Sequence, residues 1–328
     1  MPDYIIYSII FISLTILELS YFYIAEKFNI IDRPNHRSSH TKLTIRGGGI
    51  IFPIAVLIWF FVSGFAYPLF VTGLVLISGI SFRDDIDDLH SGIRTVFQFL
   101  AVGLLLAEVH PIINWYYYII LFIAIVGTKN AYNFMDGING ITGLYSLVTL
   151  TSLGYVNQSV TGFTSMSLIT MVILALLVFN FFNFRRQAKC FAGDVGSVSI
   201  AFTIIFFLIQ LIVETGSFIY VSFLLVYGID TVTTIFFRLV RKENILEAHR
   251  THFYQFLANE KKWPHLKVSA LYSLIQLVFN IIVIALRDQK NINDISILLT
   301  FGLVIMLLFI FVRFSVEGRQ RLLGATLG

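Results

Sequence analysis

Apolar runs of 16 to 22 residues recur from one end of this 328-residue chain to the other. Each is at or near the length that crosses a hydrocarbon layer about 30 Å thick as helix. Hydrophobic residues make up 57% of the chain and charged residues 13%, more apolar surface than a water-soluble fold of this size could hide in one core. The expected fold is all-α: a polytopic integral membrane protein of about 11 transmembrane helices. They fall near residues 4–25, 50–64, 67–82, 96–110, 114–128, 141–156, 165–182, 197–213, 217–236, 268–286 and 294–312. Only Gly64 to Pro68 separates the second from the third, so ten is the alternative count.

The first span follows Asp3 with no basic segment ahead of it and has Lys27 on its far side. That argues against a cleaved secretory signal and for an N-terminus outside. Of the 23 Lys and Arg residues, 21 fall in the odd-numbered connections and the C-terminal tail; Arg287 and Lys290 alone lie in the even ones. By the positive-inside rule, the odd connections and the C-terminus are cytoplasmic. The basic balance follows from that topology and does not call for nucleic acid. Trp115 to Tyr118 stand at the expected outer boundary, where amphipathic rings favour the headgroup layer. Cys190 is the only cysteine, which excludes an internal disulfide. Without repeats or a soluble-sized insertion, residues 1–328 read as one membrane domain.

All five cytoplasmic connections carry more polar residues than a turn requires, and segments 26–49, 83–95, 129–140, 183–197 and 237–267 together define a candidate active site. In the first, Arg37, His40 and Arg46 precede Gly47-Gly48-Gly49. Glycines ahead of a helix let backbone amides approach an anion, and Arg and His supply charge for phosphate. A basic loop on anionic headgroups is the plainer alternative. In the second, Asp84, Asp85, Asp87 and Asp88 crowd four carboxylates that need a counter-ion, which Mg²⁺ supplies where phosphates are handled. A solvated acidic turn competes with that reading.

In the third, Asn130, Asn133 and Asp136 share a face if helical, although amides at a membrane edge also serve as caps. In the fourth, Asn180 and Asn183 precede Gly193-Asp194-Val195-Gly196-Ser197, where Asp194 is either a helix cap or a second metal carboxylate. In the fifth, His249 and His252 share a helix face at i, i+3, as phosphate donors or zinc ligands would, with Arg250 between them. Glu18 and Asp230 lie within spans and are expected to be functional or paired.

In order and spacing, these motifs resemble those of the polyprenyl-phosphate N-acetylhexosamine-1-phosphate transferases, membrane enzymes that start peptidoglycan lipid, teichoic acid and O-antigen synthesis. Asn130-Ala131-x-Asn133-Phe134-Met135-Asp136-Gly137 and Phe191-x-Gly193-Asp194-x-Gly196-Ser197 carry the most specific part of the likeness. The resemblance implies catalytic roles for Asp84, Asp85, Asp136 and Asp194. Mg²⁺, with Mn²⁺ as a substitute, would sit on Asp194, Asp84 and Asp85. Substrate contacts would come from Arg37, His40, Arg46, Asn130, Asn133, Asn183, His249, Arg250 and His252. Where many members carry His-x-His-His, this chain has His249-Arg250-Thr251-His252, which looks like the branch that uses deoxy N-acetylhexosamine donors for surface polysaccharide. The implied partners are a UDP-sugar and polyprenyl (undecaprenyl) phosphate in a bacterial inner membrane, with a homodimer left open.

The expected reaction is attack of lipid phosphate on the sugar-bearing phosphorus, releasing UMP. The rival readings are a UDP-GlcNAc-specific initiating enzyme, an intramembrane prenyl transferase using the aspartates on a prenyl diphosphate, and a transporter. A transporter should place its polar residues near the midplane rather than at one face.

Overall fold

The computed structural model describes residues 3–34, 42–245, 247, 249–286 and 294–324, so Arg37 and His40 lie outside the described residues. The helices are α1 (Asp3–Lys27), α2 (Ile51–Val62), α3 (Pro68–Ile86), α4 (Ser91–Val109), α5 (Trp115–Phe134), α6 (Ile141–Ser159), α7 (Met166–Asn183), α8 (Gly193–Thr215), α9 (Leu225–Val240), α10 (Phe253–Asn259), α11 (His265–Leu286), α12 (Asp294–Glu317) and α13 (Arg319–Leu323). Strands β1 (Ile31–Asp32) and β2 (Thr44–Ile45) pair antiparallel in the first connection.

Each expected span coincides with a helix, the ninth with α9 and the 3-10 turn Phe218–Leu224 ahead of it. Among the described residues, seven helical stretches are long and apolar enough to cross a membrane: Tyr4–Lys27, Ser91–Val109, Met166–Asn183, Gly193–Thr215, Phe218–Val240, His265–Leu286 and Ser296–Glu317. The protein is therefore all-α with several membrane-crossing helices.

Helix α8 is the axis of the bundle. It packs against α2, α3, α5 and α6, and its residues Val195 to Ile209 are buried without interruption. Phe70 of α3 stacks on Phe206 at 3.8 Å between ring centroids. By contrast, Leu303, Leu307 and Phe311 of α12 are exposed, as suits a helix whose solvent is lipid.

A broken helix in that solvent must have its freed backbone groups met elsewhere. Gln276 of α11 does this for the turn ahead of α9. Its Oε1 accepts from Val226 N at 3.0 Å, and its Nε2 donates to Ser222 O at 2.8 Å.

Candidate active site

Strand β2 leads the first connection into a backbone seam with the segment before α8. Phe191 N donates to Ile45 O at 2.8 Å, while Gly48 N and Gly49 N donate to Phe191 O and Ala192 O at 2.8 and 3.0 Å. This corrects the expectation that the glycine amides cradle an anion, because two of them are already spent on carbonyls. What demands glycine is closeness: a Cβ on Gly196 would stand 2.6 Å from Gly49 Cα. Beneath the seam lies Glu18, fully buried, with Cys190 Sγ donating to its Oε1 at 3.7 Å.

Beyond the seam α8 begins, and the first amides of any helix lack partners within it. Asp85, near the end of α3, supplies them from outside. Its Oδ1 accepts from Asp194 N and its Oδ2 from Val195 N, both at 2.9 Å, and Arg46 Nε reaches Oδ1 at 2.8 Å. The Asp85 side chain is fully buried, and these contacts bind it into the scaffold of the site. Asp194 is not the cap that its position in the sequence allowed; it lies in the first turn with its side chain partly exposed.

Asp84 has turned elsewhere. Its Oδ1 accepts from Leu89 N at 2.8 Å, and its Oδ2 meets Arg94 Nη1 at 2.5 Å. The same nitrogen lies 3.8 Å from Asp194 Oδ2, so one guanidinium stands between two carboxylates. Among the described residues, no group of three or more His, Cys, Asp or Glu side chains could hold a metal ion by itself.

Helix α5 ends at Phe134, which keeps Asn130 and Asn133 helical but puts Asp136 in the turn beyond, a correction to the expected three-residue register. Ser197 Oγ donates to Asn133 Oδ1 and so fastens α5 to the first turn of α8. Burial, with the charge of Asp194 behind it, pushes the Asp136 carboxyl up to about 6. Asn183 is committed at both ends: Oδ1 accepts from Gly140 N at 2.7 Å and Nδ2 donates to Cys190 O at 2.8 Å. It ties two connections together and has little left for a ligand.

The expected helical pairing of His249 and His252 is also corrected. Helix α10 starts only at Phe253, with His252 as its cap. The two rings still stack, 5.1 Å apart. Asp230 of α9 organises this corner. Its Oδ1 meets His252 Nδ1 at 3.3 Å and accepts from Phe253 N at 3.0 Å, while its Oδ2 accepts from Tyr272 OH at 2.6 Å.

Burial, and next the neighbouring His252, push His249 down to about 4, so it is neutral at pH 7. Arg250 lies 3.7 Å from Glu260 in a half-exposed pair. Tyr254 OH donates to Phe134 O at 2.9 Å and closes the corner over the end of α5. Buried Arg313 of α12 donates to Thr251 O at 3.1 Å and to Thr234 Oγ1 at 2.9 Å.

Along the seam, at Ile45 and Phe191, opens a cavity of about 1060 Å³, bordered also by Lys42, Arg186, Lys189, Lys267 and Asn139; Asp84, Asp85, Asp136 and Asp194 do not line it. The first, fifth, seventh and ninth connections contribute to this cavity, and the third reaches the seventh through Asp85 and Arg94. Sequence reasoning passed over Arg94, Lys129 and Arg313. For Lys129 a signal was present, since it directly precedes the Asn130 motif; Arg94 and Arg313 belong to no motif.

A bundle of apolar helices with acidic and basic side chains gathered at one end has the chemistry that a membrane enzyme handling phosphorylated groups requires. Residues 67–212 match the model of glycosyl transferase family 4, a likeness that supports a polyprenyl-phosphate sugar-phosphate transferase in general. The match contains Asp84, Asp85, Asp136 and Asp194, while Arg46 and the His249 corner lie outside it. No curated protein matches the chain.

Proposed function

We propose that the protein transfers an N-acetyl(deoxy)hexosamine 1-phosphate from its UDP derivative to undecaprenyl phosphate, releasing UMP, and so initiates a lipid-linked surface glycan. The observation that carries this reading is the Asp84–Arg94–Asp194 arrangement at the start of α8; a basic cavity large enough for a nucleotide opens at the seam three residues before Asp194. Eleven spans, an outside N-terminus and a site on the cytoplasmic face of a bacterial inner membrane complete the proposal, supported by the distribution of Lys and Arg.

An oxygen of the lipid phosphate attacks the sugar-bearing phosphorus, and the bond to the UMP oxygen breaks with its electron pair leaving on UMP. The sugar C1–O bond is untouched, so anomeric configuration is retained. One phosphoanhydride replaces another, and the protein's contribution is positioning and charge neutralisation.

Lys42, Arg186 and Lys189 attract the nucleotide phosphates, and Phe191 offers a face for the base. Arg46 and Arg94 keep the carboxylates in place. Asp84 and Asp194 fit Mg²⁺, or Mn²⁺ in its stead, because that ion takes one or two carboxylates and fills its remaining positions with phosphate oxygens and water. Bound there, the ion would neutralise the diphosphate.

The test is UMP release by detergent-purified protein given undecaprenyl phosphate and a panel of UDP-N-acetylhexosamines, with and without Mg²⁺. Metal-dependent release with one donor, lost in Asp194→Asn, is expected. Folded protein that releases UMP from none of them overturns the proposal and favours a prenyl transferase.

A further inference from the structure

Lys129 is buried near the site end of α5, with 8% of its surface exposed. Among the described residues, no carboxylate lies within ion-pair distance of its ammonium and no hydrogen bond forms to it. Such a group is costly to bury, because water no longer compensates its charge. Its direction follows from the helix. Asn133, four residues on, shares its face and is fastened to Ser197 in the first turn of α8. Lys129 is thereby turned toward the same turn, within the electrostatic reach of Asp194 and Arg94.

We propose that Lys129 is a fixed phosphate-binding cation of this site, whose ammonium contacts the phosphoryl oxygens that Asp84, Asp194 and Arg94 surround. The inference rests on the transferase reading. Those oxygens belong either to the donor diphosphate or to the lipid phosphate, and the chemistry of recognition is the same for both. Arg46 and Arg94 each sit on a carboxylate, Asp85 and Asp84 respectively, whereas Lys129 has no such partner within ion-pair distance among the described residues. That leaves its donors for a ligand.

The experiment compares wild-type protein with Lys129→Met and Lys129→Arg in two assays. One is UMP release with each substrate varied in turn. The other is the shift in melting temperature caused by inorganic pyrophosphate with Mg²⁺. Lys129→Met should melt at or above the wild-type temperature, since it removes an unpaired buried charge, and should lose about 10²-fold in turnover together with the pyrophosphate shift. Lys129→Arg should restore part of both.

A rise in KM confined to the UDP-sugar puts the ammonium on the donor; one confined to undecaprenyl phosphate puts it on the acceptor. Wild-type turnover and wild-type pyrophosphate shift in Lys129→Met would overturn the assignment and leave the reaction standing. So would a joint loss of stability and turnover that arginine fails to rescue, the mark of a packing role. If wild-type protein releases no UMP while pyrophosphate still stabilises it and not Lys129→Met, the reaction falls and the phosphate site remains.

Discussion

A single methyl group is enough to part the first connection from the segment before α8. Gly196→Ala would set a carbon 2.6 Å from Gly49 Cα, backbone against backbone, where no side chain can swing away. Overpacking of this kind costs about 1–3 kcal/mol, and a lower melting temperature with loss of UMP release is the expected result. The two acidic residues Asp85 and Asp194 should separate cleanly. Asp85→Asn breaks a buried, charge-assisted cap and its pair with Arg46, and should destabilise by about 3 kcal/mol. Asp194→Asn should leave melting nearly unchanged and abolish turnover.

Asp136 gives the site a pH dependence. Its carboxyl titrates at about 6 instead of 3.8, so the folded protein holds that proton more tightly than the unfolded chain does. The stability it lends is complete below 3.8 and is lost as pH rises through 6. Over the same interval the ionised form becomes available to the substrates. Melting temperature should therefore fall slightly between about pH 5 and 7 while UMP release climbs, and Asp136→Asn should flatten the melting profile. A UMP release that declines across that range would refute an ionised Asp136 in the reaction.

Elements differ in how far their residues announce them. The spans were legible because a run of apolar side chains sets its own boundaries in lipid. Helix α8 nonetheless begins at Gly193, ahead of the expected 197, because Asp194 and Ser197 are polar yet belong to the helix, where they serve the site. The acidic and asparagine motifs stood out in the sequence as clusters, but the separate contacts of their members did not. Asp84 and Asp85 are neighbours in sequence, and only the position of α8 makes one a cap and leaves the other beside Asp194.

The His249 corner was least legible of all. Its supports, Asp230 and Arg313, stand 22 residues from His252 and 62 residues from Thr251. Arg313→Met should loosen that corner while Glu317 keeps Arg321, 3.5 Å away, as a partner. The expected outcome is a KM for the UDP-sugar raised about tenfold with a smaller change in kcat. An unaltered KM would mean that the corner does not meet the donor.

At the scale of the whole molecule, one end is built for ions and most of the remaining surface for lipid. In sealed vesicles holding the protein in one orientation, UDP-sugar should therefore be used only when supplied to the face that carries the site. Use from both sides would contradict a site confined to one end.

The seam of Gly48 and Gly49 with Phe191 and Ala192 also orders events during synthesis. The first connection emerges from the ribosome long before its partner exists, and more than a hundred further residues must be made before its amides find their carbonyls. Until then the nascent chain holds inserted helices but no assembled site. A polypeptide halted short of Phe191 would hold its first helices and still lack the seam that joins the first connection to α8.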